Sequence, residues 1–362
     1  MIISDKYLIK TDRDISILHK CLAEGKLSGT SEVVEQYEKE LAKYWAVPEA
    51  LAVSSGTAAL VTALYTLGIT KGDEVIVSVL APIMSVLPVL QVGAVPVFAD
   101  CQGSSFDFDI TSLKGSITEK TKAVIAVPIY GYPFEYEPLR KVCDENNLFL
   151  IEDAAQAHGS EVHGKLLGTF GDIGCFSTHD RKILSTGEGG FLLFHNKKLF
   201  EKAKAFIQFD HMSGQRFGTN YKISTLQAAL GIARIPQIEW QIKRRNRNAN
   251  HILNKIKKTG LVEEIQAPEG SVLNYYSLVI EFAHGVNVKR TIKSLDEAGI
   301  PSDVLKYKFV PLYERELLKK YYRYCPNAEA LCRKITTIPV HPGVTQEELD
   351  YMVDKILFSI VK

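Results

Sequence analysis

Phe149-Leu150-Ile151-Glu152-Asp153-Ala154-Ala155-Gln156-Ala157-His158 is the stretch on which the fold turns. It opens with a short apolar run that reads as a buried strand and ends in adjacent carboxylates. Open α/β sheets place their ligands at that end of their strands. Working outward, runs of the same kind occur at 50–54, 74–79, 95–100, 123–129, 174–177 and 190–194, all short and rich in Val, Ile and Phe. Helical patterns at 58–67 and 83–92 separate the early ones. The alternation predicts an α/β fold, a three-layer large domain around a mixed, mostly parallel sheet.

The segment to about residue 27 reads as an arm with a helix, and 226–249 as one long helix leaving the large domain. Beyond it, 277–282 is a strand candidate and 288–298 a helix closed by Gly299, a favoured residue after a helix end. A final amphipathic helix covers 346–358. The expected division is an arm plus large domain over 1–244 and a small C-terminal α+β domain over 245–362.

The balance of charge excludes several classes of partner. With 362 residues and a net charge of +1, no bulk field draws the chain to nucleic acid or an anionic membrane. The basic run Lys243-Arg244-Arg245-Asn246-Arg247 reads as a solvated or salt-bridged helix face. Six scattered cysteines form neither a CxxC pair nor a zinc-type spacing, so no metal site is expected and a reducing cytoplasm fits. The start lacks the apolar run of a signal peptide, and no stretch approaches the roughly 20 apolar residues of a membrane helix. A soluble, cytoplasmic protein is expected. No GxxxxGK or GxGxxG string opens a helix, which argues against P-loop and Rossmann nucleotide binders.

Three strings carry chemistry. Ser54-Ser55-Gly56-Thr57-Ala58-Ala59-Leu60 runs from a strand end through a small-residue turn into a helix. Its glycine allows close backbone approach and the free N–H groups of the helix start suit a phosphate, with the Ser55 and Thr57 hydroxyls as further donors. An ordinary capped turn reads equally well. Asp153, at the carboxyl end of its strand, needs a cationic partner if buried, and a protonated pyridine nitrogen is one; a helix-capping aspartate is the plainer alternative. Phe176-Ser177-Thr178-His179-Asp180-Arg181-Lys182 then sets one lysine before the glycine-rich return Thr186-Gly187-Glu188-Gly189-Gly190. That context, rather than the lysine alone, marks Lys182 as a candidate nucleophile.

In this order the strings resemble the DegT/DnrJ/EryC1/StrS sugar aminotransferases. Leu27-Ser28-Gly29, Gly218-Thr219-Asn220-Tyr221-Lys222, Leu226-Gln227-Ala228-Ala229-Leu230-Gly231 and Ile338-Pro339-Val340-His341-Pro342-Gly343 extend the similarity over nearly the whole chain. The resemblance implies fold type I of the pyridoxal 5′-phosphate (PLP) transferases, the aspartate-aminotransferase-like fold, in a homodimer with shared active sites. It implies that Lys182 carries PLP as a Schiff base and that Asp153 pairs with the pyridine nitrogen. Gln156 would contact the ring or its phenolic oxygen. Gly56, Thr57 and Ser177 would hold the phosphate, with Asn220 reaching over from the partner. Glutamate or glutamine would convert the cofactor to pyridoxamine 5′-phosphate, which then aminates a keto sugar, usually nucleotide-linked and deoxygenated, with keto-cyclitols a smaller branch.

The chain departs from that pattern in places. The family usually stacks an aromatic on the pyridine ring, whereas Ser78-Val79-Leu80-Ala81-Pro82-Ile83-Met84 has none, leaving Pro82, Ile83 or Met84 to cover it. Lys222 stands where arginine is typical, losing the planar fork. Asp180 and Arg181 replace small or neutral residues. His179, Arg181 and Lys222 are therefore candidates for substrate contact. Family members that act as sugar dehydratases typically lack the lysine, so Lys182 argues against that reading. A non-catalytic regulatory relative is expected to have damaged Lys182, Asp153 or Gln156, and all are in place.

Overall fold

Every strand expected in the first two thirds of the chain forms. The computed structural model describes residues 1–361, and in it the strands are β1 (Glu49–Val53), β2 (Glu74–Ser78), β3 (Val95–Ala99), β4 (Thr121–Ala126), β5 (Phe149–Asp153), the two halves of a short hairpin β6 (Glu161–Val162) and β7 (Lys165–Leu166), β8 (Ile173–Ser177) and β9 (Gly190–Phe194). Apart from the hairpin they make one seven-stranded sheet in the order β1-β9-β8-β5-β4-β2-β3. All neighbours run parallel except at β9, which is antiparallel to both β1 and β8. The carboxyl ends of β1, β2, β4, β5 and β8 therefore share one edge, where an open α/β sheet builds its site.

Packing explains why these short runs hold together. Residues of β9 are buried throughout, and Phe191 stacks on Phe176 of β8 with centroids 4.5 Å apart. Trp45 closes on both rings from the end of the helix Glu32–Tyr44. The helix Gly56–Thr66 is apolar nearly all round and buried to match. A second, antiparallel sheet, β10 (Val262–Glu264), β11 (Leu278–Phe282) and β12 (Ile335–Ile338), lies in the C-terminal third with the helices Val288–Glu297 and Gln346–Val361. No described helix is long and apolar enough to cross a membrane.

The structure corrects the sequence reading in three places. The long helix expected over 226–249 is two helices, Thr225–Arg234 and Ile238–Ile256, joined by a 3-10 turn at Ile235–Gln237. Pro236, lacking an N–H, cannot continue the α ladder. Positions 244 and 245, the expected domain boundary, lie inside the second helix. The strand expected to reach 129 stops at Ala126, because Pro128 precedes a turn at Ile129–Gly131. The basic run is not wholly solvated either. Arg245 is 4% exposed and donates to the carbonyls of Tyr275 and Tyr276 at 2.9 and 3.2 Å. Burial pulls its guanidinium down to about 10.

Candidate active site

At the carboxyl edge of the sheet, Ser55, Gly56, Thr57, Asp153, Gln156, Ser177, His179 and Lys182 line one cavity of about 280 Å³. Residues 55 and 182 are thus brought together from motifs far apart in sequence. A second cavity of about 390 Å³ adjoins it, sharing Pro82, Met84, Gln156, His179 and Lys182 and extending to Arg181, Tyr307 and Phe309.

The first wall is the start of the helix Gly56–Thr66. Ser55 caps it, its Oγ accepting from Ala58 N at 3.0 Å, while Ala59 N is taken by Ser55 O at 3.0 Å. The N–H groups of Gly56 and Thr57 are what remains at the helix start, and they have no intrahelical acceptor. Ser55 accepts through its oxygen and keeps its hydroxyl proton free to donate. Gly56 also serves a second close approach, to the neighbouring strand. A Cβ on it would lie 2.7 Å from Ser177 Cβ, so the glycine lets the helix start sit against the end of β8. The cradle is a capped turn and an anion-ready turn at once.

Asp153 forms the floor. It is 7% exposed, and its carboxylate accepts from Ser85 Oγ at 2.6 Å and from Ala155 N at 3.2 Å. Burial raises its pKa, opposed by those hydrogen bonds and by the charge of Lys182. Among the described residues no cation forms an ion pair with it. Such a carboxylate calls for a positively charged partner from the cavity side. A pyridinium N–H would meet that demand, and the neighbouring amine, the phosphate-ready turn and the open volume fit the rest of PLP.

Lys182 Nζ sits 4.9 Å from the ring centroid of Tyr276. The turn that carries it is tied down by its neighbours. Asp180 pairs with Lys6 at 2.5 Å. Arg181 donates to Asp5 Oδ2 at 3.2 Å, to Asp303 Oδ1 at 3.5 Å and to the Tyr307 hydroxyl. Asp5 also holds Lys306 at 2.5 Å. The N-terminal arm continues across the small sheet, with Ile3 N donating to Gly299 O at 2.8 Å and His341 Nε2 bonded to Ser4 O at 2.9 Å. Asp180 and Arg181, unusual before the lysine, are thus where the arm grips the turn.

Other expected residues fall differently. Gln156 Oε1 accepts from Tyr130 N at 2.6 Å, and Tyr130 is held at φ +56°, a strained value beside the cavity. Pro82 and Met84 line the cofactor-sized cavity, whereas Ile83 lines only its neighbour. His179 Nδ1 pairs with Asp180 at 3.2 Å. Asn220 and Lys222 line neither cavity; Lys222 Nζ donates to Asn220 Oδ1 at 2.6 Å on the outer surface.

Four residues escaped the sequence reading, Tyr276 beside Lys182 being one. Asn274, fully buried, donates to the carbonyls of Gln156 and His158 at 2.9 and 3.0 Å and accepts from Tyr276 N at 2.8 Å. It therefore couples the Asp153 string to the ring under Lys182. Gly131, at φ +85°, passes so close that a Cβ there would fall on Asn274 Oδ1. His158 is buried against Trp45, Phe176 and Phe191, and burial pushes its imidazole down to about 3, so it is neutral. Its place in the Asp153 string was the available clue; Asn274 and Tyr276 had none.

A sheet edge that presents a lysine, a buried carboxylate and a helix start to one cavity defines a PLP-type transferase. The family model described as the DegT/DnrJ/EryC1/StrS aminotransferase family matches residues 9–357, and the chain belongs to that family. It is 31% identical over 342 residues to the GDP-perosamine synthase of Vibrio cholerae, covering 92% of each chain. It is 30% identical over 314 residues to the L-glutamine:2-deoxy-scyllo-inosose aminotransferase of Streptoalloteichus tenebrarius, covering 81% of this chain and 73% of the other. The fold matches the PLP form of the sugar aminotransferase Spr1654 of Streptococcus pneumoniae with a TM-score of 0.92 at 23% identity, over 100% of this chain and 99% of that one.

Proposed function

We propose that the chain transfers an amino group from glutamate or glutamine to a keto sugar, with the sugar carried on a nucleotide, and that PLP on Lys182 is its cofactor. The observation that carries this is the convergence of the Lys182 amine, the buried Asp153 carboxylate and the free helix start on one cavity. PLP, when bound, supplies the electron sink that lets a Cα–H bond break.

The chain's own residues do the rest. Asp153 keeps the proton on the pyridine nitrogen. Gly56, Thr57, Ser55 and Ser177 hold the phosphate. Gln156, fixed by Tyr130 N, would contact the ring, and Pro82 and Met84, which line the same cavity, would cover it. The Lys182 amine would hold PLP and, once freed by the donor, would be the base that takes up the donor's Cα proton and the acid that gives it back. Tyr276 keeps the freed amine over the cavity.

Asn220 is exposed and lines neither cavity of its own protomer, and Phe209, Met212 and Phe217 on the same stretch of chain are also exposed. That supports a homodimer in which Asn220 completes the partner's phosphate site. The division at 244/245 serves as the working boundary of a small domain that supplies Tyr276 and Tyr307. A cytoplasmic setting accords with the six unpaired cysteines. The cyclitol relative keeps a keto-cyclitol acceptor as a second reading.

The test is the absorption spectrum of wild type and Lys182→Ala with PLP, before and after glutamate or glutamine. Wild type should show the lysine-bound band, lose it to donor, and regain it with acceptor; the variant should never form it. A wild-type band that no amino donor discharges would sink transamination. A panel of nucleotide-linked keto sugars and keto-cyclitols, read by mass spectrometry, then decides between acceptors.

A further inference from the structure

Three permanently or ordinarily cationic side chains line the outer cavity, and their charges are not equally available. Lys182 is given over to the cofactor. Arg181 is neutralised by the carboxylates of Asp5 and Asp303, so an incoming anion would have to break both pairs. Arg315 forms no ion pair among the described residues. One of its terminal nitrogens donates to the carbonyls of Tyr307 and Lys308 at 2.5 and 2.7 Å. A guanidinium has five N–H donors, so those on Nε and on the other terminal nitrogen of Arg315 are left for a ligand.

The support of that side chain is firm. Leu312 N donates to Val79 O at 2.8 Å, tying the segment to the chain just beyond β2, and Arg315 N donates to Leu312 O at 3.0 Å. Arg315 is half-buried at the rim of a cavity whose other walls are largely apolar, among them Leu80, Ile129, Phe309 and Val310. A pre-positioned guanidinium with uncommitted N–H donors in such a setting suits charge-assisted hydrogen bonds to phosphate oxygens. Lys222, the residue expected from sequence to serve anions, lies outside both cavities of its own protomer.

We propose that Arg315 is a specificity-determining residue that receives a phosphate of the diphosphate linkage in the amino acceptor. This rests on the aminotransferase reading above and deepens it. The apolar wall beside Lys182 then takes the sugar ring, and Arg315 fixes how far the keto carbon lies from the Lys182 amine.

The experiment uses holoenzyme and two variants. Arg315→Gln keeps an amide N–H to pin the Tyr307 and Lys308 carbonyls but removes the charge, and Arg315→Lys keeps the charge without the fork. GDP, UDP and inorganic pyrophosphate serve as probes in titration calorimetry, and donor discharge is followed by absorbance. The expected result is that Arg315→Gln weakens nucleoside diphosphate binding by about tenfold or more. Arg315→Lys should recover part of it, with the half-saturating donor concentration staying at the wild-type value. Unchanged probe binding in Arg315→Gln overturns the proposal and leaves Arg315 as a pin for its loop. A shift in donor saturation without a change in probe binding also overturns it, assigning the fork to the donor's carboxylate. Failure of donor to discharge wild type is a separate result, since it defeats transamination while the diphosphate titration still reports on Arg315.

Discussion

Asp153→Asn separates a functional carboxylate from a structural one, because the two roles predict opposite changes in stability. In the cofactor-free protein the carboxylate is buried with hydrogen bonds from Ser85 and Ala155 but no ion-pair partner, and burial raises its pKa. A carboxyl whose folded pKa lies above its unfolded value stabilises the fold only while protonated. That contribution is lost as pH rises from the ordinary carboxylate range through the raised value. The amide has no such loss. Cofactor-free Asp153→Asn should therefore melt no lower than wild type at neutral pH, and its melting temperature should lack wild type's decline across that range. With PLP the order reverses, since the amide cannot hold the pyridinium charge. Two unit charges about 4 Å apart attract by about 4 kcal/mol at an effective dielectric constant of 20. Losing that attraction where the electron sink is needed slows donor discharge by about a thousandfold. Stopped-flow absorbance gives the rate and a thermal melt the stability. A discharge rate within tenfold of wild type, or a cofactor-free melt several degrees lower, would refute the assignment of Asp153.

Other perturbations test the surroundings. Asn274→Ala leaves the Gln156 and His158 carbonyls and Tyr276 N without their partner, at a cost of about 3 kcal/mol, measurable by denaturant unfolding. Arg181→Met strips the partly buried Asp303 of its cation and should cost about 2 kcal/mol, with Arg181→Met/Asp303→Asn recovering most of it. Because burial already raises the Asp303 pKa, the single variant's deficit should grow as pH rises above the ordinary carboxylate range, and a flat difference across pH would count against the pair. Pro82→Phe places an aromatic at the lining of the PLP-sized cavity and should tighten PLP by about 0.5–1.5 kcal/mol, seen by equilibrium dialysis.

The strands and the strings that meet at the first cavity were legible because each is contiguous. An apolar run such as Phe149–Asp153 announces both a buried strand and the residue at its end. What escaped reading lies where distant segments meet. Tyr276 and Arg315 reach the cavity only once the C-terminal third of the chain packs against the rest, and nothing within a few residues of either marks that fate. Pro236 was visible, but the apolar periodicity runs on past it, so the helix seemed continuous. Arg245 could have been found. It falls in register with Ile238, Ile242, Ala249 and Ile252, the buried face of its helix, while charge count alone assigned it to the surface.

The grip of the N-terminal arm on the lysine turn has a bearing on inheritance. Asp5 and Lys6 are matched to Arg181 and Asp180 across more than 170 positions, so either pair alone is a liability. A chimera that takes its first residues from one relative and its lysine turn from another would bring unmatched charges together beside the reacting amine. The charged dipeptides at 5–6 and 180–181 should therefore change together or not at all, and a purification tag placed ahead of Met1 would pull on the same lever.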